Sequence, residues 1–473
     1  MQLRQINAFY IFFSLTLIAF NTAAFQGRLN QNEYRYFSKI LNLETEYSAA
    51  NWGLEHSFFY ELLVKPLHNL FGDSLNLILQ SILIIWFLII CLKFFEIFKI
   101  EISKLIIFYF LFFTIFKQTL FGESYMFGTT EPKSFSYLFI ITSIYFFLTK
   151  QRFLAVSLYS FSIIFHFGVT VASFPIIIYF LLAEKNKMQV IKYASVYFVL
   201  FLPLIIYFLS INSSDPRMII TDQFLASEYF IIRRHPHHLM PFMLDGTYSF
   251  KINPLFKRDL LITIIVYIAF FFFSFKKKLT KTHLNKIIAY GIIGSCTYLI
   301  FVYFFPLSRF VLIHPFRINS FIVFFLSLFV IKYTYIPKKI ALVASIAVLV
   351  LSTNTFQNIR EENQNNKERI EDVIHFIKEQ NYDFITTPRD SKTNLWWGME
   401  YETSKPIYAI RKFVPFNLRY LPEWELRLDN IGRYYSGDCE VFESFNVMSI
   451  STDKNFSCGK LIFYSNGIYI FNN

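Results

Sequence analysis

Long apolar runs, separated by short polar segments, dominate residues 1–354. A run of roughly 17–25 mostly apolar residues is long enough to cross a bilayer as a helix, and by this measure the pattern predicts about eleven membrane spans. The fifth and sixth runs are short, and we interpret them as a tight hairpin that turns at His166 and Gly168. The runs lie near 5–24, 75–93, 103–120, 134–149, 153–166, 168–183, 193–210, 259–275, 287–305, 317–332 and 339–354.

The basic residues indicate how these spans are oriented. Lysine and arginine collect between alternate runs, for example at Lys150 and Arg152 and in the segment KKKLTKTHLNK (276–286). Cytoplasmic loops of membrane proteins carry an excess of these two residues. The pattern therefore predicts a multi-pass protein of a bacterial inner (cytoplasmic) membrane with its N-terminus inside. The segments predicted to lie outside are 25–74, 121–133, 211–258, 306–316 and everything after about 355.

The pattern changes after residue 354. Residues 358–380 are typical of a polar linker that leads into an amphipathic helix, and DFITT (383–387) and KPIYAI (405–410) are typical of strands. The segment LIFYSNGIYIF (461–471) predicts a hairpin around Asn466 and Gly467. The fold class is thus an all-α polytopic membrane domain over 1–354, followed by a small α/β domain outside the membrane over 355–473.

Composition narrows the function classes. The 473 residues are 55% hydrophobic and 21% aromatic, which is more apolar surface than a soluble domain can bury. The net charge of +12 is expected for a membrane protein, because lysine and arginine collect in cytoplasmic loops, and it does not indicate nucleic-acid binding. Of the four cysteines, Cys439 and Cys458 both lie in the predicted outer domain, where disulfides persist, and we expect them to pair.

The candidate chemistry lies in polar residues beside the apolar runs. Sequence motifs of soluble enzymes, such as GxxxxGK[ST], GxSxG and HExxH, are absent. Instead, ionisable residues occur on the predicted outer side, where such groups are functional candidates. They are Glu33 in the first loop, EPK (131–133), His166, IIRRHPHHLM (231–240) and PLSRFVLIHPFR (306–317).

Together these features resemble the GT-C glycosyltransferases, which include the protein O-mannosyltransferases and the aminoarabinose transferases of lipid A. The shared features are a long acidic first outer loop, a second outer acidic residue, about eleven spans and a C-terminal outer domain. The segments EPKSFSYLF, RRHPHH and KPIYAIRKFVPFNLRYLPEWELR (405–427) are also similar to a group of bacterial multi-pass proteins with a Pro-His-His outer loop. That second resemblance implies no activity.

The GT-C resemblance implies an inverting enzyme that takes a sugar from a polyprenyl-phosphate or polyprenyl-diphosphate carrier at the outer face. Such a transfer needs a base for the acceptor hydroxyl, for which Glu33 and Glu131 are candidates. It also needs cations for the departing phosphate. The candidates for that role are Arg233, Arg234, His237, His238, Lys133, Arg309 and Arg317, and the other polar candidates are His166, His314, Trp424 and Arg427.

One departure from the GT-C pattern concerns the first loop. Many of these enzymes carry paired acids there, whereas this chain has Asn32 and Glu33, so a divalent metal cofactor is left open. The Trp-Trp-Asp type of motif found in oligosaccharyltransferases is also absent, because the residue after Trp396 and Trp397 is Gly398.

Several alternatives stay open. The Arg/His stretch could bind lipid headgroups or, with lower weight, a metal, and Glu131 could simply begin a helix. The whole chain could be a polysaccharide polymerase, a transporter or flippase of lipid-linked glycan, or a non-catalytic protein of envelope assembly. The expected partners are a lipid-linked sugar donor and membrane lipids; sequence sets neither the sugar, the acceptor nor the oligomeric state.

Overall fold

The computed structural model describes residues 10–15, 63–120, 126, 130–211, 219–221, 224–225, 242–244, 250–252, 254–303, 314–388, 396, 398–410 and 421–473. The chain divides into two compact units. The first comprises Met1–Ala23 and Leu77–Thr355, and the second comprises Ala24–Asn76 and Phe356–Asn473. The domain limits drawn from the sequence, 1–354 and 355–473, stay a prediction.

Most of the described chain is helical. The helices are α1 (Lys65–Phe71), α2 (Leu75–Phe98), α3 (Leu105–Tyr109), α4 (Pro132–Leu148), α5 (Arg152–Ala172), α6 (Phe174–Ala183), α7 (Lys187–Ile211), α8 (Pro254–Lys276), α9 (His283–Tyr303), α10 (Ile318–Tyr333), α11 (Lys338–Lys378), α12 (Met399–Thr403) and α13 (Leu421–Tyr435). Single turns of 3₁₀-helix occupy Gly72–Ser74, Ile102–Lys104, Pro315–Arg317 and Cys439–Phe442, and a π-helical turn follows α3 at Phe110–Ile115.

Several of these helices are apolar enough to lie in a membrane. Within the described residues, four are long and apolar enough to cross one by length and composition alone: Leu75–Phe98, Arg152–Ala172, His283–Phe301 and Pro315–Tyr333. Of these, Arg152–Ala172 is interrupted at His166. Five shorter apolar helices accompany them: Ile102–Ile115, Pro132–Leu148, Phe174–Ala183, Leu261–Lys276 and Lys339–Val350. These helices indicate a membrane protein, whereas the count of eleven spans stays a prediction.

Helix α10 forms the centre of the first unit. Nearly all of its side chains between Ile318 and Ile331 are buried. The ring of Phe324 contacts aromatic rings of α2 and of the α3 region, with centroids 5.5–6.0 Å apart; these belong to Phe87, Phe94, Phe108 and Phe112. The apolar pattern of the sequence thus produces a helix surrounded by other helices rather than by lipid.

The C-terminal end of α10 is held by a cation. Lys104 Nζ donates hydrogen bonds to the carbonyl oxygens of Ile331, at 2.8 Å, and Thr334, at 3.0 Å. A positive charge is favourable here because the last carbonyls of a helix carry partial negative charge.

An ion pair joins the beginning of α5 to the residue that follows α6. Arg152 Nε lies 2.8 Å from Glu184 Oε2. Hydrogen bonding from Arg152 is the main reason that the pKa of Glu184 falls to about 2. This ion pair therefore holds the beginning of α5 close to the end of α6.

Helix α5 is interrupted at His166, where the sequence predicts a turn. The backbone of His166 leaves the helical region, with φ −158° and ψ 95°. Tyr159 donates a hydrogen bond from its hydroxyl to Thr170 O at 2.9 Å, although these residues would lie about 16 Å apart in a straight helix. The chain therefore folds back at His166 before it turns again at Ser173 into α6.

The segment between α7 and α8, which the sequence predicts to lie outside, contains short strands. Strand β1 (Ile219–Thr221) pairs antiparallel with β2 (Phe224–Leu225), and β3 (Phe242–Leu244) pairs antiparallel with β4 (Phe250–Ile252). The sequence did not predict these two pairs.

The second unit contains a four-stranded sheet in the order β5-β6-β8-β7. The strands are β5 (Phe384–Thr386), β6 (Val447–Ser451), β7 (Lys460–Ser465) and β8 (Ile468–Asn472). Strand β5 runs parallel to β6, and β8 is antiparallel to both of its neighbours. The predicted strand at 383–387 is confirmed. The predicted hairpin is also confirmed, and its two turn residues, Asn466 and Gly467, both have positive φ.

Two local predictions in this unit are wrong. Residues 405–410 form no strand, only one bridge between Ile385 and Ile407. The predicted linker after residue 354 is also wrong, since α11 continues without interruption to Lys378. One face of its last turns packs on the sheet because apolar residues recur at helical spacing: Ile370, Val373, Ile374 and Ile377.

Two cysteines of the second unit form a covalent link. Cys439 and Cys458, the predicted pair, are joined by a disulfide with an S–S distance of 1.98 Å. Tyr434 in α13 also donates a hydrogen bond from its hydroxyl to Cys458 O at 2.8 Å. The disulfide therefore ties the segment after α13 to the start of the β7–β8 hairpin.

Candidate anion-binding site

The first part of the site is the beginning of α4. Glu131 is the residue before the helix and has an extended backbone, and Pro132 opens the helix because its fixed φ suits the first position. The carboxylate of Glu131 makes no capping hydrogen bond to the helix. Instead, its Oε2 lies 2.8 Å from Lys133 Nζ, and the side chains are only 7% and 20% exposed. The pair is thus a largely buried ion pair rather than a helix cap.

The second part is the interruption of α5. Ser136, one turn into α4, donates a hydrogen bond from Oγ to Ser162 O at 3.2 Å, and a longer one to His166 O at 3.4 Å. The backbone N–H of Val169 donates to His166 Nδ1 at 3.3 Å. These contacts place the imidazole beside the first turn of α4.

The third part is the 3₁₀ turn before α10. Arg317 NH1 lies 3.4 Å from His166 Nδ1, and the hydroxyl of Tyr137 donates to Arg317 O at 3.2 Å. His314 begins this turn with φ 50° and ψ 66°, in the left-handed region. A residue with a Cβ pays roughly 1–2 kcal/mol for that conformation. The turn therefore brings Arg317 against α4 and α5 at some conformational cost.

We call these five residues the Arg317 cluster: Glu131, Lys133, Tyr137, His166 and Arg317. Lys133 and Arg317 both lie close enough to His166 for their charges to act on its ring, and the charge of Glu131 acts on Arg317. Three separate segments thus bring two cations, one carboxylate and one imidazole together among apolar helices. Such an arrangement is suited to an oxyanion, because guanidinium and ammonium groups donate charge-assisted hydrogen bonds to phosphate.

Helix α9, which packs beside the start of α10, extends past the level of the cluster. A side chain at Gly294 of α9 would meet Ile318, the residue after Arg317. Helix α9 runs antiparallel to α10, since Gly291 faces Ile322, and it continues to Tyr303, about 13 Å further along its axis. The turn that carries Arg317 therefore lies alongside α9 and not beyond its end.

Other predicted site residues are placed elsewhere. Trp424 and Arg427 belong to the second unit, where both are almost fully buried. Arg427 NH2 lies 2.7 Å from Glu423 Oε1, and its guanidinium stacks over the ring of Tyr408. Trp424 Nε1 donates to Ile410 O at 3.4 Å. Both side chains hold α13 to the segment that follows α12. The candidates that lie outside the described residues are Glu33, Arg233, Arg234, His237, His238 and Arg309.

Sequence reasoning missed two polar residues at this end of the helices. Tyr137 lies one turn after Lys133 on α4, and helical spacing could have identified it. Asn319 follows Arg317 by two residues, and its Oδ1 accepts hydrogen bonds from Tyr267 at 3.0 Å and Ser295 at 2.9 Å. An amide inside an apolar run was the available signal. It joins α8 and α9 to α10.

In the described ranges, no group of three His, Cys, Asp or Glu residues could hold a metal ion.

A comparison with known proteins finds no family model that matches the chain and no curated protein that matches its sequence.

Proposed function

We propose that the chain is an integral membrane glycosyltransferase that moves a sugar from a polyprenyl-phosphate or polyprenyl-diphosphate carrier to an acceptor. The Arg317 cluster would bind the carrier phosphate. The observation that supports this role is that Lys133 and Arg317, 184 positions apart in the sequence, both lie beside the hydrogen-bonding imidazole of His166.

Burial makes these cations chemically useful. Lys133 is paired with Glu131, which partly offsets the cost of keeping its charge among apolar helices. A phosphate group beside Lys133 and Arg317 would accept charge-assisted hydrogen bonds from both cations. Charges in a water-poor site also act more strongly on a departing phosphate than they would in water.

The resemblance to GT-C enzymes supplies the rest of the proposal. Glu33 remains our candidate for the base that takes the acceptor proton, with Glu131 as the alternative. The enzyme would act at the outer face of a bacterial inner membrane, and the arginines and histidines of 231–240 would contact the same carrier.

Arg317→Gln tests this proposal. In cells that lack the native chain, we expect the variant to accumulate normally but to form about 10²-fold less glycosylated product, because one preorganised donor to the developing charge is lost. Mass spectrometry of surface glycans and of polyprenyl-linked intermediates measures the product and the unused donor.

Arg152→Gln is the matched control. It removes an arginine of the same unit that pairs with Glu184 and is not part of the Arg317 cluster. Product at the wild-type level in Arg317→Gln, or an equal loss in both variants at equal abundance, would remove the support for the proposal.

A further inference from the structure

The hydrogen bonds of His166 determine where its proton lies. Two groups face Nδ1: the backbone N–H of Val169 at 3.3 Å and the guanidinium NH1 of Arg317 at 3.4 Å. A backbone N–H and a guanidinium can only donate hydrogen bonds. Nδ1 must therefore be the acceptor, with no proton of its own, and the ring is neutral with its proton on Nε2.

The backbone of His166 is fixed as firmly as its ring. Its carbonyl oxygen accepts hydrogen bonds from Ser136 Oγ at 3.4 Å and Thr170 Oγ1 at 3.3 Å. The hydroxyls of Ser162 and Thr170, on the two sides of the interruption, are hydrogen-bonded at 2.7 Å. The acceptor Nδ1 is consequently held in one place by both halves of α5 and by α4.

Arg317 is constrained at two points by this arrangement. Its backbone carbonyl accepts from Tyr137, and its guanidinium donates to His166. A long arginine side chain loses much rotamer freedom when it binds a ligand, so prior fixation of the guanidinium favours binding.

We infer that His166 is a positioning residue: its neutral imidazole accepts through Nδ1 from Arg317 and thereby directs the guanidinium toward the anion. It works through Arg317 and does not contact the ligand. The inference deepens the proposed function and rests on it for the nature of that ligand. Among the residues that the structure describes, the charged or titratable groups that act on the ring are Arg317 and Lys133, with Glu131 and Tyr137 acting on Arg317.

Two substitutions separate the ring nitrogens. In His166→Asn, the side-chain oxygen is two bonds from Cβ, as Nδ1 is, and can accept from the same two donors. In His166→Gln, the terminal group is three bonds from Cβ, as Nε2 is, and the acceptor beside Arg317 is lost. The probe is farnesyl phosphate, titrated into purified protein in detergent micelles. We expect His166→Asn to bind like wild type and His166→Gln to bind about tenfold more weakly.

A double variant tests whether the effect passes through Arg317. If His166 only positions this arginine, His166→Gln combined with Arg317→Gln binds no more weakly than Arg317→Gln alone. Additive losses would overturn the inference. It would also be overturned if His166→Gln kept wild-type affinity, or if His166→Asn lost as much as His166→Gln.

A measurement without ligand separates this inference from the proposed function. In protein labelled with ¹⁵N in its histidine rings, the signals that vanish in His166→Asn belong to His166. We expect a protonated Nε2 and an unprotonated Nδ1 whose signal moves in Arg317→Gln. A protonated Nδ1, or an unmoved signal, overturns the inference. A wild-type protein that shows this signature but does not bind farnesyl phosphate would count against the proposed function alone.

Discussion

At the residue scale, the ion pair of Glu131 and Lys133 makes a prediction about stability. The Glu131 side chain is 7% exposed, and its carboxylate pairs with Lys133 at 2.8 Å. Lys133→Met removes this ion pair from a buried acid, and we expect the free energy of unfolding to fall by about 2 kcal/mol. Unfolding in mixed micelles measures the loss. Combining the change with Glu131→Gln should restore most of it, and a double variant as unstable as the sum of the single variants would show that the two groups are not coupled.

The same residues show how far the sequence predicts a site. Glu131, Lys133, His166 and Arg317 could be selected because each is a rare polar group beside an apolar run. Their partnership could not be predicted, since His166 and Arg317 lie 151 positions apart and meet only because α5 folds back and α10 packs beside it. Local patterns carry the identity of candidate residues, and tertiary packing decides which of them meet.

At the element scale, the close approach of α9 to its neighbours requires small residues at the contact. A Cβ at Gly294 would lie 2.5 Å from Pro175 Cβ and 2.8 Å from Ile318 Cδ1. We therefore expect Gly294→Ala to lower the free energy of unfolding by about 1–3 kcal/mol, because α9 must move away from α6 and α10. Cys296→Ala, at an exposed position of the same helix, is the control. Equal melting temperatures for the two variants would contradict the packing argument.

Elements were predicted where their apolar pattern is unambiguous. Strand β6, with the sequence VMSIS, was missed because it is only five residues long and two of them are serines, although all five residues are buried. Residues 405–410 look like a strand but pair through a single bridge, since strand formation requires a partner along the whole segment. The polar residues after 354 suggested a linker, yet Glu, Gln, Lys and Arg are good helix formers, and α11 continues through them.

At the scale of the whole molecule, the alternation of apolar runs and basic loops makes the last prediction. It places the N-terminus and the segment after Lys276 inside and the C-terminal unit outside. The disulfide between Cys439 and Cys458 supports that placement, because such bonds persist in oxidising compartments and are rare in the cytoplasm. Reporter fusions after Lys276 and at Asn473 should therefore report opposite sides of the membrane. A thiol reagent applied to denatured protein from intact cells should label Cys91 and Cys296 but neither Cys439 nor Cys458. Two reporters on one side would disprove the arrangement of spans, and with it the proposal that the Arg317 cluster acts at the outer face.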